Sequence, residues 1–223
     1  MGKAIGSVIL GIIIIFVVSA VIVLIAGDLD IEADPTALTV VLLMSLPLEV
    51  VFLAAAFAFS VRKYRVSRAK LGLRPPDRGG VLLVIGLFLG SWGIAAAYFE
   101  VLSLAGINPD TDFGEVYDNV GPVVAVAILA LLFAPVMEET FFRGFIFGGL
   151  RRPWGLVGAA LGSGLLFGML HLGNPGGFYL IPPITLVGAV FAWGYAYSGS
   201  IYPSMGAHFL FNLVSLGVGL ATS

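Results

Sequence analysis

Glu138, Glu139 and Arg143 stand in LLFAPVMEETFFRGFIFGG (131–149), a run whose other side chains, Thr140 apart, are apolar. The only two histidines lie in equally apolar surroundings, His171 in FGMLH (167–171) and His208 in HFLFN (208–212). A carboxylate held among apolar groups is a better base than one in water and can take a proton from a water molecule. A neutral histidine can orient that water or donate a hydrogen bond. His208 and Asn212, one helical turn apart, can both donate to a developing oxyanion. Those are the parts needed for attack of water on an amide carbonyl. The sequence offers no evident Ser-His-Asp set, no HExxH, no Gly-rich phosphate loop and no nucleic-acid module. With no cysteine, it also lacks thiolate nucleophiles, disulfides and thiolate metal sites.

Helical geometry sorts the charges. A charge at the centre of a membrane helix costs roughly 2.5–3.5 kcal/mol on insertion scales, so three would cost on the order of 8–10 kcal/mol before any pairing. Glu139 and Arg143 are four apart with Glu on the amino-terminal side, the favourable order for a local ion pair. That pair has a purely structural reading, a self-neutralising couple. Glu138 is turned about 100° away, onto the face of Phe142, and has no local partner. Pro135 removes a backbone hydrogen bond three residues before it, which predicts a kink and a freed carbonyl.

The elements that position these groups must be membrane helices. Of 223 residues, 59% are hydrophobic and 11% charged, against roughly 25% charged in a soluble domain. Runs long enough to cross a bilayer, about 20 apolar residues, suggest an all-α bundle of about seven crossings: 4–26, 36–61, 79–105, 120–150, 155–172, 182–198 and 202–221. The first is too long for a typical signal-peptide core and meets an acidic loop instead of a cleavage site, so it reads as a retained helix.

Connectors alternate in charge. Lys3 precedes the first crossing, GDLDIEADP (27–35) follows it, and RKYRVSRAKLGLRPPDR (62–78) follows the second, with seven of the eleven basic residues. NPDTDFGEVYDN (108–119) and the Arg151–Arg152 pair continue the pattern. Basic connectors favour the cytoplasm, which predicts a multi-pass protein with its amino terminus inside and its carboxyl terminus outside. The basic loop reads as a solvated anchor touching membrane lipid, not as a nucleic-acid site. After Arg152 no Asp, Glu, Lys or Arg occurs in 71 residues. The uncharged connectors GNPGGFYLIPP (173–183) and YSGSIYPS (197–204) either line a cavity covered by protein or form short interfacial turns. From the turn at Pro153, Glu138 lies 15 residues back and His171 18 on; at 1.5 Å per residue both stand about 22–27 Å along antiparallel neighbours. His208 reaches that level only if the 197–204 connector is sunk in the bundle.

EETFFRG (138–144), FGMLH (167–171) and HFLFN (208–212) resemble the EExxxR, FxxxH and HxxxN motifs of the CPBP intramembrane proteases, also called Abi, which include the CAAX prenyl endopeptidases. GYAYSGSIYPSMGAH (194–208) is similar to the family's approach to its last motif. The resemblance covers roughly residues 120–213 and divides the chain into amino-terminal helices with the basic loop (1–119) and a protease core (120–223). It implies Glu138 as the base that activates water, His171 helping to hold that water, and His208 with Asn212 as the oxyanion site. Glu139, Arg143 and Phe167 complete the motifs in supporting places. It implies a membrane-embedded or lipidated peptide as substrate and, with no eukaryotic targeting signal, a prokaryotic cytoplasmic membrane. A metal-free, glutamate-activated water is the favoured mechanism, without a cofactor. The alternatives are a zinc enzyme with Glu138, His171 and His208 as three ligands and an open fourth position, a non-cutting scaffold or bacteriocin-immunity protein, and a transporter, since intramembrane carboxylates also serve proton relays.

Overall fold

The computed structural model describes residue 39, residues 46–111 and residues 114–222. The crossing expected at 4–26 and its acidic connector lie outside the described residues, and the crossing expected at 36–61 is described from Leu46 as α1 (Leu46–Ala56), which continues as a π-type turn over Phe57–Lys63. No strand occurs among the described residues. Four further helical stretches are long and apolar enough to cross a membrane: Gly80–Leu104 (α2), Val120–Gly173, Gly177–Ser198 (α5) and Tyr202–Thr222 (α6). Large apolar side chains left open on them, such as Leu82, Leu89, Leu104 and Leu161, are what lipid-facing positions require.

Val120–Gly173 is two crossings. Gly155, two residues after Pro153, has φ 70° and ψ −175°, a conformation with no place in a helix and natural only to glycine. The limbs on either side, 120–154 (α3) and 156–173 (α4), fold back on each other. Ser163 Oγ donates to the carbonyl of Phe142 at 2.8 Å, and the rings of Phe142 and Phe167 meet with centroids 5.2 Å apart. This reversal matches the two crossings expected at 120–150 and 155–172.

Bilayer tails are as apolar as leucine, so small residues and close backbone approach hold such helices together. Gly164 and Gly168 put that contact between α4 and α5. A Cβ at Gly164 would collide with the Thr185 carbonyl, and one at Gly168 would stand 2.8 Å from the Ile181 carbonyl oxygen. A second contact is aromatic: Phe52 of α1 packs on Phe141 and Phe142 at 5.1 and 5.7 Å, within a buried cluster that also takes in Phe147, Leu150, Ala159 and Phe167. Helix α1 from the first 119 residues thus shares its core with the segment 120–223.

The two uncharged connectors behave differently. Ser198, Ser200, Ile201 and Ser204 are all fully buried, because the basic loop folds over them. Asp77 N–H donates to Ser198 O (2.8 Å), Ile201 N–H to Gly72 O (3.0 Å), Arg74 Nε to Gly199 O (3.0 Å) and Ser200 Oγ to Arg74 O (2.6 Å). Arg74 is also ion-paired with Asp77. The expectation of a wholly solvated basic loop therefore needs correction at its centre: Leu71 is 2% exposed and its carbonyl lies against Gly144 of α3. At the other end, α5 starts at Gly177, five residues earlier than expected, and carries Pro182 and Pro183 inside the helix. Leu180 and Pro183 line a cavity of about 710 Å³ with Trp92, Asp110, Phe211 and Ser215, between α2, α5 and α6.

Candidate active site

The backbone of α3 departs from α-geometry on both sides of the two glutamates. A π-type turn covers Ile128–Phe133, a short α-helix Ala134–Glu139, and a second π-type turn Thr140–Phe147. Pro135 has no N–H to give. In the i→i+5 pattern of the preceding turn, the carbonyl it leaves unserved is that of Ala130. Asn212 Nδ2 donates to this carbonyl at 2.8 Å. The freed carbonyl expected from Pro135 is present, and an amide of α6 fills it. One N–H of Asn212 is thereby engaged and the other is left.

Arg143 Nη1 lies 2.9 Å from Glu139 Oε1, with both side chains fully buried. The predicted i, i+4 ion pair is formed, yet it does not satisfy the guanidinium: Nε, Nη1 and Nη2 all lack an acceptor in hydrogen-bond geometry, as Glu139 Oε2 lacks a donor. Aromatic faces take up part of the charge. The guanidinium carbon lies 4.5 Å from the Phe167 centroid and 5.3 Å from that of Phe191. Gly188 gives it room, since a Cβ there would stand 3.2 Å from Arg143 Nη2.

His208 joins the two glutamates. Its Nδ1 is 3.1 Å from Glu139 Oε1, and its Nε2 is 3.8 Å from Glu138 Oε2. The 197–204 connector, buried at Ser198, Ser200, Ile201 and Ser204, sets α6 deep enough for this, and Ser204 Oγ fixes it further by donating to Phe191 O at 2.9 Å. A carboxylate oxygen paired with Arg143 can only accept, so His208 Nδ1 carries the proton of that bond and Nε2 is the atom turned to Glu138. The sequence reading placed His208 opposite Glu138; the structure adds that its firmer bond is to Glu139.

His171 sits where α4 tightens into a 3₁₀ turn, Leu170–Gly173. Its Nδ1 is 3.1 Å from the Phe167 carbonyl. A carbonyl only accepts, so the proton is on Nδ1 and Nε2 is free. Its ring meets Phe167 edge-on at 5.3 Å, and His208 meets the same ring at 5.8 Å. Phe167 is thus the common floor of both imidazoles and of the Arg143 guanidinium.

One residue of this neighbourhood is absent from the motifs. Glu49 of α1 is 8% exposed, its Oε2 is buried without a hydrogen-bond partner, and its carboxylate lies near enough to that of Glu138 for the two charges to repel. The signal that finds it is the one that singles out Glu138, a carboxylate at membrane depth with no basic residue one turn away. Metal ligation can be set against the same geometry. Among the described residues no three His, Asp or Glu side chains are gathered so that they could hold one ion. Glu138, His171 and His208 do not form a three-ligand set as they stand.

Residues 120–214 match the family model of Rce1-like type II CAAX prenyl endopeptidases, nearly the span expected from the three motifs. A curated protein of Bacillus subtilis (strain 168), "Putative membrane peptidase YdiL", is 27% identical over 146 residues, 60% of this chain. The chain spans 58% of the length of that relative. No solved structure matches it.

Proposed function

Because residues 120–214 of this integral membrane helix bundle belong with the Rce1-like CAAX endopeptidases of the CPBP family, we propose that the protein is an intramembrane endopeptidase whose attacking water is activated by Glu138. The observation that carries this reading is the buried chain Arg143–Glu139–His208, which ends with Nε2 turned to Glu138 Oε2 across 3.8 Å. That gap exceeds a direct hydrogen bond and suits a bridging water. Glu138 takes one proton from the water as its oxygen bonds to the peptide carbonyl carbon. The carbonyl oxygen, now negative, is met by the second N–H of Asn212 and by His208 Nε2 when that nitrogen also carries a proton. The C–N bond then breaks, and the proton on Glu138 passes to the departing nitrogen. His171, with Nδ1 tied to Phe167, offers Nε2 as an acceptor that holds the water.

The substrate is a membrane-embedded or lipidated peptide, and the enzyme works in a prokaryotic cytoplasmic membrane with its amino terminus and basic loop on the cytoplasmic side. The test compares membrane peptides of cells making the wild type with those of cells making Glu138→Gln. Products that appear only with the wild type are expected; identical peptide sets would overturn the peptidase reading and leave a protein that holds peptides uncut. Chelation of the purified enzyme separates the two catalytic types. Undiminished cleavage is expected. Loss of activity with stoichiometric zinc, and its return when zinc is restored, would reassign Glu138, His171 and His208 as ligands.

A further inference from the structure

A second cavity, with no residue of the three motifs in its wall, gathers positive charge. Lys70, Arg74 and Arg151 line a space of about 370 Å³ together with Ala69, Tyr195 and Gly199. Three parts of the fold supply them: the basic loop, the end of α3, and the end of α5 with the turn after it. Arg74 is paired with Asp77, but among the described residues Lys70 and Arg151 have no carboxylate partner. Like charges gathered this way repel unless an anion comes between them. The carbonyls of the wall are already engaged. That of Ala69 accepts from Gly72 N–H, that of Lys70 from Tyr195 O–H, and that of Arg74 from Ser200 Oγ. That of Tyr195 accepts from Gly199 N–H, and that of Gly199 from Arg74 Nε. What remains for a ligand is ammonium and guanidinium N–H, the donors that suit phosphate oxygens. The Phe147 ring backs Arg151, with its centroid 5.8 Å from the guanidinium carbon and 5.8 Å from the Tyr195 ring. The position is a membrane boundary. Arg151 stands four residues before the reversal at Gly155, and Trp154 between them is 56% exposed, the place of an interfacial aromatic. Lipid phosphates lie at that level, and basic pockets between membrane helices take their head groups.

We propose that this cavity binds a phosphate group, and that the phosphate is the head group of an anionic membrane lipid. Its oxygens lie between Lys70 and Arg74 of the basic loop on one side and Arg151 of α3 on the other. Three cations against the one carboxylate of Asp77 favour a head group that carries no cation of its own. One lipid then ties the loop to α3. The same loop covers Ser198–Ile201 through Gly72, Arg74 and Asp77, so the bound head group also holds that cover over the start of α6.

The test is thermal melting of the whole protein in a neutral detergent as phosphatidylglycerol is added to the micelles; no substrate enters it. The melting temperature should rise and level off, as it does when a ligand binds only the folded state. Phosphatidylcholine, whose phosphate is offset by a fixed cation, should give a much smaller rise. Inorganic phosphate and glycerol phosphate should give none at the concentration where phosphatidylglycerol saturates. Arg151→Gln and Lys70→Gln should each raise the phosphatidylglycerol concentration at half-rise by about 10- to 100-fold, the loss of a charge-assisted hydrogen bond. Arg152→Gln removes the same charge one position on, exposed and outside the wall. It should move the midpoint by no more than about fivefold, which is what a charge near a lipid surface is worth without a site. Midpoints rather than heights are compared, so a variant with a lower starting stability still decides the matter. No rise, an equal rise with phosphatidylcholine, or equal midpoints for Arg151→Gln and Arg152→Gln would overturn the site. A full rise with inorganic phosphate at the lipid's own concentration would overturn the lipid as its source.

Discussion

At the scale of single residues, two adjacent glutamates have different neighbours because the helix turns them apart. Glu139 is committed to Arg143 and His208 Nδ1; Glu138 is left with His208 Nε2. Glu138→Gln keeps shape and removes the proton acceptor, so cleavage should fall by at least about 10²–10⁴-fold while thermal stability holds or rises. Glu139→Gln leaves Arg143 as an uncompensated buried charge, which costs about 3–5 kcal/mol, and should lower the melting temperature along with part of the rate. Melting and cleavage measured side by side in detergent check both; an active Glu138→Gln enzyme beside a folded but inactive Glu139→Gln enzyme would exchange their roles. The Glu139–Arg143 pair was legible in the sequence because both partners lie on one helix, four apart. His208 on Glu139 and the nearness of Glu49 to Glu138 were not, since each joins helices whose relative rotation no spacing encodes. Asn212 lay between these cases. Pro135 announced a freed carbonyl, and only packing shows that Asn212 answers it.

At the scale of elements, the site depends on how closely α4 approaches α5, because His171 ends α4 and Gly188 of α5 makes room for Arg143. Gly164→Ala pushes a methyl group into the Thr185 carbonyl and should cost about 1–3 kcal/mol, with cleavage lost in step. Gly90→Ala on α2, where an added Cβ meets nothing within 4 Å, should change stability by no more than about 0.5 kcal/mol. Thermal melts of the two variants, with the wild type alongside, check this pair. Length and hydropathy gave α2, α5 and α6 within a few residues, and Pro153 marked the reversal between α3 and α4. The early start of α5 was hidden because Pro182 and Pro183 read as breakers. Inside a bundle, the backbone groups that they free can be tolerated where protein or a cavity covers them, and Pro183 lines one.

At the scale of the whole molecule, the basic loop and the 108–119 connector should lie on opposite sides of the bilayer. Single cysteines at Arg68 and Asn108, both exposed, should react with an impermeant thiol reagent from opposite faces of sealed vesicles; reaction from the same face would overturn the proposed orientation. The alternation of acidic and basic connectors carries that expectation, and nothing in it could show that part of the basic loop is also a cover for Ser198–Ile201. The buried guanidinium has a bearing on how the chain is made. Arg143 is surrounded by Phe142 on its own helix, Phe167 on the next crossing and Phe191 on the one after. Synthesis runs from the amino terminus, so Arg143 leaves the ribosome before Phe167 and well before Phe191. Until α5 follows, the charge has Glu139 and two of its three rings. The segment 131–149 should therefore be costlier to leave facing lipid before α5 is made than after it.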